Sequence, residues 1–337
     1  MDRKLASIQV IKELTPISGA DAILCAKVLG WECVVKKTEF NVGDKCVYFE
    51  IDSMLPIASW NDHLRKEEGK KLRVKTIRLR GQLSQGLAMP LSILPVGEYE
   101  VGQDVTSLVG VEKYEPVVPA HLSGTVKGNF PAFLHKTDEV RLQSEPNVLQ
   151  EAIDKKLTLV GTLKMDGTSF TAYRRDDEFG VCSRNLNLKE TEGNAHWRMA
   201  RKLKLEEILR SESRNLCIQG EMVGPGIQAN RLGLKEVSLF IFNLFDIDTG
   251  KYLGITELRD FCIKHGLEFV PTVEGGPIGE STTVADLLKI ANDLDYANGT
   301  PAEGIVWRPT EETYSELLKG RLSFKTISNR YLLAYKE

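Results

Sequence analysis

The sequence predicts two domains of different class, a small β-barrel followed by an α+β domain. Its 337 residues correspond to about two domains at ~150 residues each. Short alternating segments separated by Gly, Pro and Asp fill residues 1–110, whereas helical and strand patterns mix after residue 131. The composition is 42% hydrophobic and 27% charged, which is typical of globular proteins and excludes a mainly disordered chain.

The front domain is predicted to contain five or six short β-strands. They are Ala6–Ile11, Ala22–Val28, Trp31–Val35, Asp44–Ile51, Leu72–Arg80 and Gly86–Leu91. Short, evenly spaced strands of this kind favour a closed or nearly closed barrel, and among barrels an OB-like one. Residues 111–131 carry three prolines and two glycines and are predicted to be a linker. The predicted domains are therefore 1–110, the linker 111–131, and 132–337.

Elements of the second domain follow from helix and strand signals. The Ser144-Glu145-Pro146 segment marks a helix start before an apolar face. Further helices are predicted at Ala195–Ser211, Thr256–His265 and Val284–Leu294, and strands at Leu157–Leu163, Ser169–Tyr173, Leu216–Glu221, Leu239–Asp246, Gly304–Trp307 and Leu322–Thr326. This mixture predicts an α+β domain with antiparallel sheets.

The net charge and the targeting signals limit which binding partners and which cellular locations we expect. The formal net charge is −3, so a globally basic coat is excluded and any polyanion must meet a local patch. The first residues contain no apolar signal segment, and no apolar run reaches the length of a membrane span. The six cysteines are widely spaced, which indicates reduced thiols and disfavours a zinc site. We expect a cytoplasmic protein, or a nuclear one in a eukaryote, that does not bind membranes.

One local patch lies in the front domain. Eight basic residues occur between Arg65 and Arg80: Arg65, Lys66, Lys70, Lys71, Arg73, Lys75, Arg78 and Arg80. Phosphate contacts from such a patch would be sequence-independent and sensitive to salt. A solvated β-ribbon face is the alternative interpretation. Stacking of bases on Trp31, Tyr48 or Phe49 is possible in an OB-like module, although packing in the core is the more common role for such rings.

The segment Lys164-Met165-Asp166-Gly167-Thr168-Ser169 carries the most chemistry. A predicted strand leads directly into Lys164, which an acidic residue and a glycine follow. A lysine is a nucleophile only when part of its population is deprotonated, and both partial burial and nearby metal cations lower its pKa. Asp166 supplies a hard oxygen ligand, and Gly167 allows close backbone approach. Alone, this tetrad is also compatible with an ordinary surface turn.

Five later segments place charged or aromatic residues at predicted strand ends. They are Ser183-Arg184-Asn185, Gln219-Gly220-Glu221, Phe242-Asn243-Leu244-Phe245-Asp246-Ile247, Glu303-Gly304-Ile305-Val306-Trp307-Arg308 and Phe324-Lys325. With Lys164-Met165-Asp166-Gly167, they resemble, in order and spacing, the motifs of the covalent nucleotidyltransferase superfamily, which includes DNA ligases, RNA ligases and mRNA capping enzymes. The resemblance covers residues 164–325 and implies an α+β nucleotidyltransferase fold of the ATP-grasp-like ligase kind.

The resemblance implies a three-step reaction. Lys164 attacks the α-phosphorus of ATP to form lysyl-AMP and release pyrophosphate. The AMP then moves to a 5′-phosphate end, and a 3′-OH attacks this activated end and expels AMP. Such phosphoryl transfers depend on positioning and charge neutralisation, which Mg²⁺ or Mn²⁺ held by oxygen ligands supplies.

The same resemblance implies a role for each motif residue. Lys164 and Lys325 are catalytic, and Lys325 contacts the α-phosphate. Arg184 binds a nucleotide phosphate or the RNA end, Glu221 contacts the ribose or a metal-bound water, and Phe245 stacks on adenine, with Phe242 as a competitor for that role. The implied metal ligands are Asp166, Glu221 and Glu303.

Two departures bear on the branch of the superfamily. The last motif often contains two lysines separated by one residue, but Ser323 and Ile327 flank Lys325, so its alignment to the first or the second lysine stays open. Ser169 stands where DNA ligases have an arginine, which disfavours a DNA ligase. Only twelve residues follow Lys325, whereas DNA ligases and capping enzymes carry an OB domain there.

Three further segments resemble the RNA ligases of the Deinococcus and Naegleria type, which have an OB module in front of a minimal ligase domain. They are Gly81–Leu91, Lys136-Thr137-Asp138-Glu139 and Ser323–Asn329. The resemblance implies an ATP-dependent RNA ligase for RNA repair that acts as a monomer on nicked duplexes whose 3′-OH strand is RNA. A DNA ligase, a capping-type enzyme and a non-catalytic nucleic-acid-binding protein are the alternatives.

Overall fold

The computed structural model describes residues 4–65, 69–114, 125–273, 278, 279 and 281–335. The chain forms two compact units. The first contains Met1–Val117, Val140–Leu149 and Asn329–Glu337, and the second contains Val118–Glu139 and Gln150–Ser328. The predicted domain limits stay a prediction, and residues 115–124 of the predicted linker lie outside the described residues.

The first unit is built mainly from antiparallel strands. In chain order they are β1 (Ala6–Ile17), β2 (Ala20–Val28), β3 (Trp31–Lys36), β4 (Lys45–Phe49), β5 (Ser53–Leu55), β6 (Leu72–Arg73), β7 (Ile77–Leu79), β8 (Gln82–Ser84), β9 (Leu87–Pro90) and β10 (Glu112–Lys113), with 3₁₀ turns at Ser59–Leu64 and Leu91–Ile93. The main sheet has the order β3-β2-β1-β4-β9, β10-β5-β6 form a second sheet, and β7 and β8 form a hairpin.

Strand β1 explains the curvature of the main sheet. Its first half, Ala6–Val10, pairs with β4, and its second half, from Ile11 onward, pairs with β2. Register shifts at Ile11/Glu13 and Pro16/Ile17 bend the strand, because a bulge adds a residue on one side of a ladder. The apolar face of this curled sheet is the core of the unit. The predicted OB-like β-barrel class of the front domain is confirmed.

The predicted strand Leu72–Arg80 is wrong as a single element. Leu72–Arg73 pairs with β5, whereas Ile77–Leu79 pairs with β8. The β7–β8 hairpin turns at Arg80 and Gly81, whose φ angles of 52° and 84° lie in the left-handed region. Two positive φ values in succession are typical of the tight turns that match the twist of a hairpin.

The second unit contains most of the remaining elements. They are β11 (Val126–Asn129), β13 (Leu159–Lys164), β14 (Thr168–Arg175), β15 (Glu178–Cys182), β16 (Leu186–Leu188), α2 (Ala195–Lys202), α3 (Leu205–Ser211), β17 (Leu216–Val223), β18 (Ser238–Asp246), β19 (Lys251–Tyr252), α4 (Ile255–His265), β20 (Thr272–Val273), α5 (Val284–Asp293), β21 (Gly304–Pro309), β22 (Tyr314–Ser315), β23 (Gly320–Arg321) and β24 (Phe324–Ile327). Strand β12 (Val140–Arg141) and helix α6 (Asn329–Tyr335) belong to the first unit, and α1 (Asn147–Asp154) begins in the first unit and ends in the second.

Two antiparallel sheets carry the second unit. One has the order β11-β16-β15-β14-β17-β18-β19, and the other contains β24-β21-β13-β20 in that order. Helices α2, α3 and α4 cover one face of the seven-stranded sheet, where Phe170, Trp197 and Ile218 belong to a large apolar core. The predicted α+β class with antiparallel sheets is confirmed.

The predicted helix Ala195–Ser211 is two helices. Helix α2 begins after the N-cap Asn194, whose side chain accepts bonds from the amides of His196 and Trp197. It ends at Lys202, and Lys204 adopts a φ of 54° before α3 begins. A left-handed residue cannot continue a right-handed helix, and the break turns Leu205 into the core.

In the described part of the chain, no helix has the length and apolar character that a bilayer span requires. All six cysteines are buried free thiols. Burial raises the pKa of Cys46, Cys182 and Cys262 to about 12, so these thiols stay protonated and pack as small apolar groups. The predicted cytoplasmic or nuclear location stays a prediction.

Candidate active site

Lys164 ends strand β13 and faces a carboxylate on the neighbouring strand. Its Nζ lies 2.7 Å from Oε1 of Glu303, and the two side chains are only 27% and 16% exposed. Lys164 pairs in the sheet with Gly304, so the residue before Gly304 is brought beside the lysine. The hydroxyl of Tyr296 donates to the Lys164 carbonyl at 2.9 Å and accepts from the Glu303 amide at 3.1 Å. Tyr296 thus ties together the chain segments that carry the ion pair.

Gly304 makes this approach possible. Its φ is 155°, and a Cβ there would lie 2.1 Å from the Thr326 carbonyl oxygen and 2.9 Å from Cα of Ile327. Only glycine avoids both the backbone strain and the collision. The glycine of the Glu303-Gly304 motif therefore lets β21 pack against β24 with Glu303 at its start.

Asp166 and Gly167 form the turn that leaves β13. The Asp166 carboxylate is 8% exposed and accepts a 2.6 Å bond from Nη1 of Arg231. A Cβ at Gly167 would lie 2.3 Å from the Met222 carbonyl oxygen, so the glycine lets the turn contact β17. Arg231 was not identified from the sequence, because no motif signals an arginine that only the fold brings beside Asp166.

Glu221 lies on β17 opposite Ser169, close to the turn. Burial raises the pKa of its carboxyl to about 8, and the charges of Glu303 and Asp166 act in the same direction while Lys164 and Arg184 oppose them. None of the hydrogen bonds or ion pairs among the described residues engages this carboxyl. Glu221 therefore remains available to a ligand that brings positive charge.

The ionisation of Lys164 differs from the expectation. Burial lowers the pKa of its amine, as predicted, but the carboxylates of Glu303, Glu221 and Asp166 outweigh burial and raise the pKa above its ordinary value. The amine is thus an ammonium ion held by Glu303. Nucleophilic attack requires that this proton be removed.

Arg184 and Lys325 share one acidic partner. Nη2 of Arg184 lies 3.0 Å from Oδ2 of Asp138, and Nζ of Lys325 lies 3.0 Å from Oδ1 of the same carboxylate. Lys325 also lowers the pKa of Glu303, and Arg184 lowers that of Glu221, so both cations belong to the same electrostatic cluster as Lys164. The sequence shows Asp138 only as part of the Lys136-Thr137-Asp138-Glu139 motif, and nothing in that motif signals that its carboxylate bridges two cations.

The two phenylalanines of the Phe242–Ile247 segment lie in different environments. Phe245 is 2% exposed and packs in a core cluster with Tyr173 and Cys217. Phe242 is partly buried and packs against the apolar cluster of Met165, Val223 and Val270, which contains the residue that follows Lys164. Of the two rings, Phe242 is therefore the less buried, whereas the predicted stacking residue Phe245 is in the interior.

A β-bulge explains this difference. Gln219 pairs with Asn243, but the next residue, Gly220, pairs with Ile241, so Phe242 has no partner across the ladder. A Cβ on Gly220 would lie 2.6 Å from the Phe240 carbonyl oxygen, so glycine is needed at this irregularity. Bulges re-aim side chains next to functional sites.

A buried charge network supports the same strand. Arg308 donates to the Phe242 carbonyl at 2.8 Å and to Oε1 of Glu139 at 2.8 Å. Burial would raise the pKa of Glu139, but Arg308 and Arg321 outweigh it and keep the carboxyl ionised. The network thus holds Phe242, the residue at the bulge, through its backbone carbonyl.

The predicted metal ligands suit a hard divalent cation in their chemistry. Asp166, Glu221 and Glu303 offer only carboxylate oxygens, the donors that Mg²⁺ and Mn²⁺ prefer, and Glu221 is a partly buried acid with a raised pKa, whose proton such a cation would replace. Among the described residues, no three His, Cys, Asp or Glu side chains are close enough to form a preformed metal cluster. Asp166 and Glu303 are instead paired with Arg231 and Lys164. The metal-binding role of these residues stays a prediction.

Comparison with known families gives two matches. Residues 5–91 match a model described as an OB-fold domain, and residues 157–327 match the model of RNA ligase. The second match alone spans half of the chain. The chain belongs to the RNA ligase family.

Solved structures agree with this assignment. The RNA ligase of Naegleria gruberi solved with pyrophosphate is 38% identical, covers 99% of both chains and superposes with a TM-score of 0.88. Point mutants of the same enzyme solved with AMP and Mn, and with ATP and Mn, give TM-scores of 0.89 at the same identity. These ligands agree with the ATP and Mn²⁺ expected from the sequence. A search of curated proteins gave no match.

Proposed function

We propose that this protein is an ATP-dependent RNA ligase that seals 3′-OH and 5′-phosphate RNA ends through a lysyl-AMP intermediate at Lys164. The observation that carries the proposal is the convergence of Lys164 from β13, Glu221 from β17 and Glu303, which directly precedes β21, in one partly buried cluster. Membership of the RNA ligase family, and the ATP, AMP and pyrophosphate found with the Naegleria enzyme, support it.

Lys164 is the proposed nucleophile. Its Nζ attacks the α-phosphorus of ATP, the new P–N bond forms, and the bond to the pyrophosphate oxygen breaks. The ammonium proton must leave first, and Glu303 is the acceptor at 2.7 Å. Because burial raises the pKa of Glu303, this carboxylate is a better base than an exposed one. In the later steps AMP passes to the 5′-phosphate, and the 3′-OH displaces it.

Asp166, Glu221 and Glu303 are the proposed ligands for Mg²⁺ or Mn²⁺. A divalent cation bound there would neutralise charge on the α-phosphate oxygens and lower the pKa of the lysine amine. In its absence, Arg231 and Lys164 balance the charge of two of these carboxylates.

Lys325 and Arg184 are the proposed phosphate-binding cations. Asp138 holds both in place, so their charges are positioned before a nucleotide arrives. Lys325 is 15% exposed and would contact the α-phosphate, whereas Arg184, which is 53% exposed, would bind a nucleotide phosphate or the RNA end. Preorganised cations cost little reorganisation during phosphoryl transfer.

Phe242 is the proposed adenine-stacking residue in place of Phe245. Phe242 is only partly buried and packs against the cluster that contains Met165, the residue after Lys164, while Phe245 is enclosed by its own core cluster. A stacking ring must present a free face to the base. The structure therefore favours the competitor that the sequence left open.

RNA ends are the proposed partners, in nicked duplexes with RNA at the 3′-OH side, and the protein is proposed to act as a monomer in RNA repair. In the first unit, exposed Arg78 and Arg80 on the β7–β8 hairpin would contribute phosphate contacts. Such contacts are sequence-independent, so they would position the substrate rather than select it.

A sealing assay tests the proposal. Nicked duplexes with a 5′-phosphate are incubated with ATP and Mn²⁺, with either RNA or DNA at the 3′-OH side. We expect sealing that requires ATP and an RNA 3′-OH strand, because a ribose 2′-OH gives the protein a group that DNA lacks. Equal sealing of all-DNA nicks would contradict the RNA assignment, and absence of sealing with every substrate would contradict the ligase.

A further inference from the structure

The two proposed phosphate-binding cations already contact an anion of the chain itself. Oδ1 of Asp138 lies 3.0 Å from Nζ of Lys325, and Oδ2 of the same carboxylate lies 3.0 Å from Nη2 of Arg184. Each carboxylate oxygen thus serves one cation, as two oxygens of a phosphate group would. Because a carboxylate and a phosphate offer the same kind of acceptor, the two anions compete for these cations.

The position of Asp138 does not depend on these ion pairs alone. Residues on both sides of it are tied to the sheets of the second unit. Nε2 of Gln219 donates to the His135 carbonyl at 2.7 Å, and Nη2 of Arg308 donates to Glu139 at 2.8 Å. These bonds keep the carboxylate close to the cations, and they do not involve the side chain of residue 138.

A ligand can reach the bridge that Asp138 forms. The Asp138 side chain is 39% exposed and that of Arg184 is exposed, whereas that of Lys325 is largely enclosed. Lys325 also lowers the pKa of Glu303, which holds Lys164, so the inner end of the bridge lies beside the reactive cluster. The bridge therefore extends from the surface to the place where the α-phosphate is proposed to bind.

The bridge lowers the affinity for phosphate ligands according to its population. Asp138 is part of the same chain, so its carboxylate acts at a high effective concentration. A ligand binds only those molecules in which the cations are available, and its apparent affinity falls by that fraction. A bridge present in about 80–90% of molecules would weaken binding about 5- to 10-fold.

We propose that Asp138 is an internal competitor for phosphate: its carboxylate exchanges with a phosphate group of the substrate at Lys325 and Arg184, and its return to the cations speeds product release. The inference rests on the proposed function, in which pyrophosphate leaves after the first step and AMP after the last. A site that bound phosphate tightly would retain both products. Lower affinity of this kind is expressed mainly as faster dissociation.

Removal of the negative charge at residue 138 tests the inference. Asp138→Asn keeps the size of the side chain and one acceptor oxygen, but it loses the charge that holds the cations. Binding of AMP, inorganic pyrophosphate and ATP to the full chain is measured by calorimetry without divalent cations, so that no adenylylation occurs. We expect the variant to bind these ligands about 5- to 10-fold more tightly than the wild type, because the cations are then available in every molecule.

Two further variants locate the effect. Glu190→Gln removes the charge of another exposed carboxylate that pairs with an arginine, Arg201, and should change the affinities by less than about 2-fold. In an Arg184→Gln background, Asp138→Asn should give a smaller gain, because one of the two cations for which the anions compete is absent. Asp138→Ala also removes the charge and provides the same measurement if Asp138→Asn does not fold.

The phosphate group that displaces Asp138 belongs either to the nucleotide or to the 5′ end of the RNA. A 5′-phosphorylated RNA strand and the same strand with a 5′-hydroxyl distinguish the two sources. A gain in affinity for AMP assigns the exchange to the nucleotide. A gain that is confined to the 5′-phosphorylated strand assigns it to the RNA end.

Unchanged or weaker binding of every phosphate ligand by Asp138→Asn would overturn the inference, because the carboxylate would then only position the cations. Labelling of the wild type with α-labelled ATP and Mn²⁺ separates this result from a failure of the proposed function. Labelled wild type without tighter binding by the variant contradicts the competitor role alone. Unlabelled wild type contradicts the ligase assignment.

Discussion

The cluster around Lys164 and the basic run from Arg65 to Arg80 organise charge in opposite ways. In the cluster, residues more than 50 positions apart in the sequence converge, and the carboxylates are close enough that burial and mutual repulsion raise the pKa of Glu221 to about 8. In the basic run, three of the eight cations are paired one by one with acidic residues: Arg65 pairs with Asp62, Lys71 with Glu112, and Arg73 with Asp52.

The difference shows that contiguity in sequence does not create an electrostatic site. Among the described residues of the patch, the hairpin arginines Arg78 and Arg80 are exposed and form no ion pair with an acidic side chain. Lys66 lies outside the described residues. Charge that stays unbalanced inside the fold is the better indicator of function, because it is costly unless a ligand compensates it.

The largest expected effect is at Glu303. Glu303→Gln keeps the shape of the side chain but removes the proton acceptor of Lys164, so lysine adenylylation should slow at least about 100-fold. The rate is measured by transfer of label from α-labelled ATP. Glu311→Gln, a change at an exposed carboxylate beyond the other end of β21, serves as the control. Normal labelling of Glu303→Gln would show that the ion pair is only structural.

Substitutions of Phe242 and Phe245 should have different effects, the first on ATP binding and the second on the stability of the fold. Phe242→Leu should raise KM for ATP about 10-fold, which corresponds to the ~1–3 kcal/mol of a stacked base, with little change in melting temperature. Phe245→Leu should lower the stability by about 1–2 kcal/mol because it alters a buried cluster. Steady-state labelling and thermal unfolding of both variants decide the question, and the reverse pattern would restore Phe245 as the stacking residue.

These outcomes bear on how far the sequence determines the site. The order and spacing of the motifs, through the family resemblance that they carry, predicted that Lys164, Glu221 and Glu303 belong to one site. Arg231, Asp138 and Tyr296 were not predictable, since their roles depend on tertiary contacts that leave no local pattern.

Backbone irregularities account for the other differences. The bulge at Phe242 places Phe242 and Phe245 in different environments, which the motif that contains both rings does not reveal. The left-handed Lys204 divides a helix whose apolar period is continuous in the sequence. The strand Leu72–Arg80 is split because its two ends pair with different partners. Periodicity describes which face is apolar, but it does not report where the backbone breaks.

Substitutions in the basic run should have different effects depending on whether the cation forms an ion pair with an acidic residue. The double variant Arg78→Ala/Arg80→Ala should weaken RNA binding a few-fold and reduce the slope of log affinity against log salt by about 1.5–2. Arg73→Ala should instead lower the stability, because Asp52 loses one of the two arginines that contact it. Binding isotherms at several salt concentrations provide the test. An unchanged slope in the double variant would remove the hairpin from the RNA interface.

The smallest effect is expected at an ion pair outside both regions. Hydrogen bonds from Lys264 and, to a lesser extent, from His265 lower the pKa of Glu212 in the folded protein. The ionised carboxylate therefore stabilises the fold fully above its unfolded-state pKa of roughly 4.3. This stabilisation is lost as the pH falls through the lower pKa of the folded state. Glu212→Gln should therefore be less stable than the wild type near pH 7, by about 1 kcal/mol or less, and the gap should close below about pH 4. A gap that is independent of pH would contradict the ionic origin.

The most direct test of the account is the identity of the lysine that carries AMP. The wild type, Lys164→Arg and Lys325→Arg are incubated with ATP and Mn²⁺, and the peptides are analysed by mass spectrometry. We predict an adenylyl group on Lys164 in the wild type and at a reduced level in Lys325→Arg, with none in Lys164→Arg. AMP attached to another residue, or retained by Lys164→Arg, would contradict the assignment of Lys164 as the nucleophile.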